Sequence, residues 1–337
     1  MDAPHDTETI DDLSALAWVQ DELRRSMEAA HKAMRRYLKE AEALTGSDVD
    51  AVDPGVLRTA RAQLHQGVGA LELVGLPAAA QLLRASEAAL QKMSGRPVTL
   101  SAAGAEAIEQ ASFALLDYVA RLLAGKAVSP LALFPQYKAV QELAGADRIH
   151  PADLWPHDWQ WRELPTEPNV ARRSADADLR TEVEALTLAL MRQPESPAAG
   201  TLSDLFAGLA AGEASTAADG AGHRLATLWQ MASAFFEAQA QRLLRLDAYS
   251  KRVPSRLLAQ LRMSERGDAA QSAEASQRLA QDLLFFCAQA GSPGDGRRAP
   301  RLAAVRQTWN LARRAPVDYL ATNRLSDPQR FYRSALP

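Results

Sequence analysis

Of the residues in this chain whose type and spacing could do chemistry, His65 is the one that stands apart. It lies in RTARAQLHQGVGALELVG, where Leu57, Leu64, Val68, Leu71 and Val74 recur at helical spacing and define a buried face. Arg58, Arg61, His65 and Glu72 fall near one another on the other side of the same helix. Gly67 and Gly69 each cost about 1 kcal/mol of helix propensity relative to alanine. They are expected to clear the surface beside the imidazole, so that another backbone can approach. That arrangement suits a histidine that receives a phosphoryl group from a docked partner, because such an imidazole needs access and little else from its own protein.

No other group competes for a chemical role. The dinucleotide-binding, P-loop, zinc-protease, paired-cysteine and nucleophile-elbow motifs are absent. The single cysteine, Cys287, excludes an internal disulfide and sits in the apolar run LLFFCAQ, where it reads as a small buried hydrophobe. His150 and His157 lack the spacing and companions of a metal site and read as structural residues. Asp11 and Asp12 read as a capping pair, and Glu40 and Glu42 as part of a solvated helix face. The expectation is therefore no catalytic residue, no metal and no cofactor.

The elements that must carry His65 are helical. Alanine and leucine dominate, and no run of β-branched or aromatic residues alternates with polar ones. After Asp11–Asp12, Leu13, Leu16, Val19, Leu23, Met27, Ala30, Met34, Tyr37 and Leu38 form one stripe, which Gly46 ends. About thirty residues at 1.5 Å each make a helix of roughly 45 Å. Arg24, Arg25, Lys32, Arg35, Arg36 and Lys39 occupy the rest of it, as a solvated face or a docking surface for an acidic partner. Asp53-Pro54 opens the His65 helix, which runs to Gly75. Pro77 opens a third helix that stops at Gly95, and Ser101 a fourth that stops at Gly125. Short connections make these an up-and-down bundle.

Beyond a short helix around Leu133–Leu143, three tryptophans, Trp155, Trp159 and Trp161, lie among Pro151, Pro156, Pro165 and Pro168. The prolines forbid a continuous helix, and the tryptophans point to an ordered connector that plugs against helical neighbours. Helices resume with one marked by Leu179, Val183, Leu186, Leu190 and Met191 and ended by QPESPAAG. Further helices are expected over Leu202–Ala210, from Ala214 or Gly222 to Leu246, from Pro254, over Ser272–Ala290 and over Leu302–Ala312. The expected fold is all-α, tandem up-and-down helical bundles. A first bundle occupies residues 1–128, a connector 129–170, and a second, more diverged bundle 171–337.

With 337 residues, 47 % hydrophobic and 23 % charged, the chain has the composition of a globular protein able to bury a core. A net charge of −3 gives no basic excess for nucleic acid. No apolar stretch is long enough for a membrane span, and the acidic start MDAPHDTETIDD is unlike a signal peptide, so a cytoplasmic protein is expected. The tail DPQRFYRSALP shows no cap or stop, which leaves open a free-standing protein or a piece of a longer one. Oligomeric state is not legible, since no heptad run is long enough to predict a coiled coil.

The spacing His65, Gly69, Gly75 resembles the signature of histidine phosphotransfer (HPt) domains, in which lysine follows the histidine by three, glycine by four and glycine by ten. In that family the lysine favours the phosphoryl group electrostatically. Here Val68 holds its position, and Arg61, one turn before the histidine, substitutes only in part. His223 has Thr227 and Ser233 at the glycine positions and reads as an ordinary helix-start residue. The segments LSALAWVQDELRRSMEAAHKAM, QLHQGVGALELVGLPAAAQLLRASEAAL and SPLALFPQYKAVQELAG are similar to the N-terminal region of type IV pilus chemotaxis-like hybrid histidine kinases (ChpA or PilL type) and to free-standing pilus regulators of the FimL type. The resemblance covers residues 13–145 well and the remainder more loosely. It implies two successive HPt-like bundles acting as a degenerate docking or scaffolding module that is not an enzyme. It also implies a CheY-like response regulator and a polar or pilus-regulatory protein as partners, influence on cyclic AMP and twitching motility, and recruitment to the cell pole. The alternative is a phosphorelay intermediate that carries the phosphoryl group on His65.

Overall fold

A computed structural model of the chain describes residues 13–43, 53, 55–95, 98–217, 220–266, 269–294, 297–311 and 317–320, with backbone alone at 13 and 269–274. Asp11, Asp12, Gly46, Pro54 and the tail 327–337, read above as caps, stop, opener and terminus, lie outside the described residues. Among those described, the fold is all-α: eleven α-helices and no strand, with one isolated bridge between Ser94 and Thr99. The described residues form two compact units, one drawn from residues 13–157 and 317–320, the other from 158–311.

The first unit contains α1 (Leu13–Ala43), α2 (Gly55–Leu73), α3 (Pro77–Met93), α4 (Ala102–Leu123) and α5 (Phe134–Ala144). α1 packs on α2 and α4, and α3 packs on α2, α4 and α5. Leu16, Val19, Leu23, Met27, Ala30 and Met34 on α1 are all buried, as their spacing predicts, and so are Leu57, Leu64 and Leu71 of α2 and Leu82, Leu83 and Leu90 of α3. Each such leucine contributes about 1.5–3 kcal/mol by leaving water. Pro77 occupies the first turn of α3, and the Ser101 hydroxyl accepts from the Gly104 N–H at 3.1 Å to cap α4. α2 ends in a Schellman turn: Gly75 is left-handed at φ +73°, its N–H bonds Glu72 O at 3.1 Å, and Leu76 N–H bonds Leu71 O at 2.9 Å.

A 3-10 turn at Pro130–Leu133 leads into α5, and a second one at Pro151–Leu154 lies against α3. His150 caps that second turn. Its Nδ1 accepts from Ala152 N–H at 3.1 Å, while the Asp153 carboxylate accepts from His150 N–H at 3.1 Å and from the Tyr137 hydroxyl at 3.2 Å. Tyr319 returns to this unit and meets Phe134 edge to face at 5.9 Å.

The second unit contains α6 (Ala177–Arg192), α7 (Ala198–Thr216), α8 (Gly220–Ala240), α9 (Val253–Arg266), α10 (Ala269–Gln289) and α11 (Pro300–Thr308). α8 is the hub, in contact with α7, α10 and α11. Phe206 of α7 stacks on Trp229 and Phe236 of α8 at 5.6 and 5.5 Å, and Phe235 meets Phe286 of α10 at 5.6 Å. α7 and α8 approach closely through a reciprocal pair: the Ser203 hydroxyl donates to Ser233 O at 2.8 Å and the Ser233 hydroxyl to Ser203 O at 2.7 Å. Cys287 is fully buried, and burial pushes its thiol up to about 12, so it is an inert hydrophobe at neutral pH.

The buried row of α6 is Leu179, Val183, Thr187 and Leu190, and Met191, a hundred degrees round from Leu190, is 65 % exposed. Three helix boundaries differ from the sequence expectation. α7 is longer than Leu202–Ala210, since its alanine-rich ends carry high propensity but no apolar period. α8 stops at Ala240 instead of Leu246. Arg242 takes a left-handed conformation at φ +58°, with Arg242 N–H bonded to Gln239 O and Leu243 N–H to Ala238 O. α11 likewise ends early, at Thr308, where Asn310 is left-handed at φ +52°. The Arg306 side chain of α11 closes the end of α10, donating to Cys287 O at 2.9 Å, to Gly291 O at 3.4 Å and to Ala290 O.

Residues 158–173 run as an extended strap over the second unit. Trp159 stacks on Trp309 at 6.0 Å, and the Trp309 indole N–H donates to Gln160 O at 3.0 Å. Arg162 reaches Thr308 O at 2.9 Å, and Arg173 N–H bonds Gly208 O at 3.0 Å. The strap can lie this close because α7 presents Gly208 and Gly212. A Cβ on Gly208 would stand 2.6 Å from Ala171 O, and one on Gly212 would overlap Arg173 O.

Candidate functional site

α2 delivers His65 to the outside of the first unit, with its side chain 74 % exposed. The anchor is the opposite face: Leu64, Gly67, Val68 and Leu71 are buried, which turns positions 58, 65, 69 and 72 outward. Arg58, His65, Gly69 and Glu72 are all exposed and Arg61 is half-buried, so the structure brings the expected face together. A Cβ on Gly69 would meet nothing within 4 Å, which leaves the surface one turn beyond the imidazole open.

Gly67 does not belong to that opening. It is buried, and a Cβ there would come within 2.9 Å of Leu83 and 3.2 Å of Leu23, so its small size serves the packing of α2 between α1 and α3. Gly75 serves as the left-handed stop of α2 described above. Val68, 3 % exposed, is a core residue.

Glu87 of α3 is the residue that the sequence did not single out. Its carboxylate lies 3.0 Å from His65 Nδ1 through one oxygen and 3.4 Å from Arg61 Nε through the other. A carboxylate only accepts, so Nδ1 carries the proton in this bond and Nε2 is the ring nitrogen not engaged by Glu87. Glu72 is engaged in turn by Arg84 of α3. The face is thus laced by two ion pairs between α2 and α3. Beside it, Gln66 donates to Glu22 of α1 at 2.7 Å, which sets the register of the two helices. Trp18, one turn before Glu22 on α1, is 62 % exposed. Leu73, 84 % exposed, ends the row of α2 that holds Gly69. Both are large apolar groups left in water.

The basic face of α1 is largely answered from within. Arg35 grips Glu109 of α4 with two bonds of 2.9 and 2.8 Å, and Arg36 and Arg25 pair with Glu40 and Glu22 along the helix. His223 is exposed at the start of α8. No described helix is long and apolar enough to cross a membrane.

The fold and the site therefore define a helical protein that displays a histidine on a polar, ion-paired helix face. Comparison with protein families places the second unit more narrowly: residues 168–322, somewhat under half of the chain, match the second domain of FimL scaffold protein. Comparison with curated proteins and with solved structures gives no match. The chain thus resembles FimL- and ChpA-type scaffold regions.

Proposed function

We propose that the chain is a non-catalytic interaction module of type IV pilus regulation, and that the α2 face around His65 docks a CheY-like response regulator or a polar pilus-associated protein. The similarity of residues 168–322 to a scaffold domain supports the scaffolding role. The observation that carries the docking role is what surrounds His65. The imidazole is presented, yet Arg61, the cation one turn away, is held by Glu87, and the position three residues on is a buried valine. A phosphoryl group on Nε2 would bring nearly two negative charges beside the Glu87 carboxylate with no uncommitted cation on either neighbouring turn of α2. The same surface suits binding: Gly69 leaves room for an approaching backbone, and the exposed Leu73, one turn further along α2, offers apolar area.

A second reading, a phosphotransfer intermediate, draws on one specific observation. The 3.0 Å bond from His65 Nδ1 to Glu87 occupies that nitrogen and leaves Nε2 as the one that could act as a nucleophile. One experiment separates the two. The purified chain is incubated with a receiver domain phosphorylated by a small-molecule donor, and titrated in parallel with the unphosphorylated receiver. Saturable binding without label on the chain is expected. Label that disappears in His65→Gln would overturn the docking reading in favour of a phosphorelay.

A further inference from the structure

Between the strap, α7, α8 and α11, the second unit holds a cavity of about 250 Å³. Its size comes from the residues that line it. Ala207, Ala210, Ala211 and Ala214 follow one another at helical spacing along α7, and Ala304 lines it from α11. Protein interiors contain few voids larger than a water molecule, and an apolar space of about 150 Å³ already admits benzene. The strap that roofs it is fixed on both sides. Gln230 of α8 donates to Pro165 O at 3.2 Å, and the backbone at 171–173 is seated on Gly208 and Gly212. Neither element can settle inward to fill the space.

Charge distinguishes one end. Arg301 donates to Glu167 at 2.8 and 3.2 Å, to Asp204 at 2.8 Å and to the Ser203 hydroxyl at 2.9 Å. Two carboxylates thus answer one guanidinium, and next to it Glu237 accepts from Leu302 N–H at 2.8 Å, its pKa raised by burial. A guanidinium so engaged has little left to offer a carboxylate, whereas the acidic excess attracts a cation. Glu167 lines the cavity and its side chain is still 46 % exposed.

We propose that this cavity is a binding site for a compact apolar amine, with a ring or short chain between the strap and the α7 alanines and its protonated nitrogen at Glu167. Its volume suits a ligand of about ten to a dozen non-hydrogen atoms. The site is independent of the docking reading of His65 and stands or falls separately.

The test uses the full chain carrying ¹³C-labelled alanine methyl groups, titrated with three probes that share an indole-3-ethyl skeleton: tryptamine, uncharged 3-ethylindole and the anionic, slightly larger indole-3-propionate. Saturable shifts at Ala207, Ala210, Ala211 and Ala214 are expected, with tryptamine about tenfold tighter than the propionate and the neutral probe between them. Glu167→Gln should bring the amine and the acid to within about threefold of each other. Ala211→Leu, which fills the cavity, and Ala214→Leu, at its exposed mouth, should each abolish the shifts, with folding checked by thermal melting. No saturable shift with any probe would overturn the proposal. So would equal binding of amine and acid to the native chain, or undiminished binding by both folded leucine variants.

Discussion

Acidification from pH 7 to pH 5 should destabilise the first unit through His31. This residue of α1 is 6 % exposed, meets Phe113 edge to face at 5.6 Å, and its Nε2 has no hydrogen-bond partner among the described residues. Burial lowers its pKa from 6.5 to about 4; Glu109 opposes that shift and Arg35, the partner of Glu109, adds to it. The folded pKa lies below the unfolded one, so the unfolded chain binds the extra proton in the window between them. The contribution is complete above about pH 6.5 and drains as pH falls toward 4, at about 1.4 kcal/mol per pH unit. The whole shift corresponds to about 3 kcal/mol, and the part lost by pH 5 to about 2 kcal/mol. His31→Leu removes the titrating group and keeps an apolar side chain of similar size. Stabilities of both proteins would be measured by hydrogen exchange of α1–α4 amides, which resolves this unit from the other. Wild type should lose about 2 kcal/mol more than His31→Leu between pH 7 and pH 5, since groups common to both cancel in the difference. Parallel losses would refute the assignment.

Replacing Gly69 by leucine should leave α2 folded, because helix propensity improves by about 1 kcal/mol, yet weaken receiver binding by filling the approach beside His65; unchanged affinity in a titration would show that this face is not the interface. Arg242→Gly should stabilise the second unit by about 1 kcal/mol in urea unfolding, since glycine holds the left-handed turn without strain and only an exposed pair with Glu195 is lost. Gly212→Ala should cost about 2 kcal/mol or more, because the new Cβ overlaps Arg173 O and backbone cannot yield as a side-chain tip can. A melting temperature equal to wild type would mean that the strap does not rest on α7 in solution.

The helices of the first unit were legible because apolar period and punctuation agree: Pro77 and Ser101 open helices, Gly75 and Gly125 close them, and Leu16 to Met34 keep one face. The later boundaries were hidden where punctuation is missing. Arg242 makes a glycine's turn without glycine, and the alanine ends of α7 have propensity but no pattern. At the candidate site, exposure of His65 and Gly69 could be read from the helical wheel alone. Gly67 could not, because its size answers to Leu83 and Leu23 on two other helices. Glu87 was out of reach for a related reason: its place beside His65 depends on how α3 lies along α2, twenty-two residues away in sequence.

Arg306 binds two helices into one dynamic element. Its guanidinium is what the last carbonyls of α10 have in place of water, so peeling α11 away strips acceptors from α10 as well as apolar contacts from its own Leu302 and Val305. Amides in the final turn of α10 and those of α11 should therefore open in a single step and exchange at a common rate. A chain cut before residue 306 would fray at both helices, and the shortest fragment of this unit that holds together must extend past the arginine.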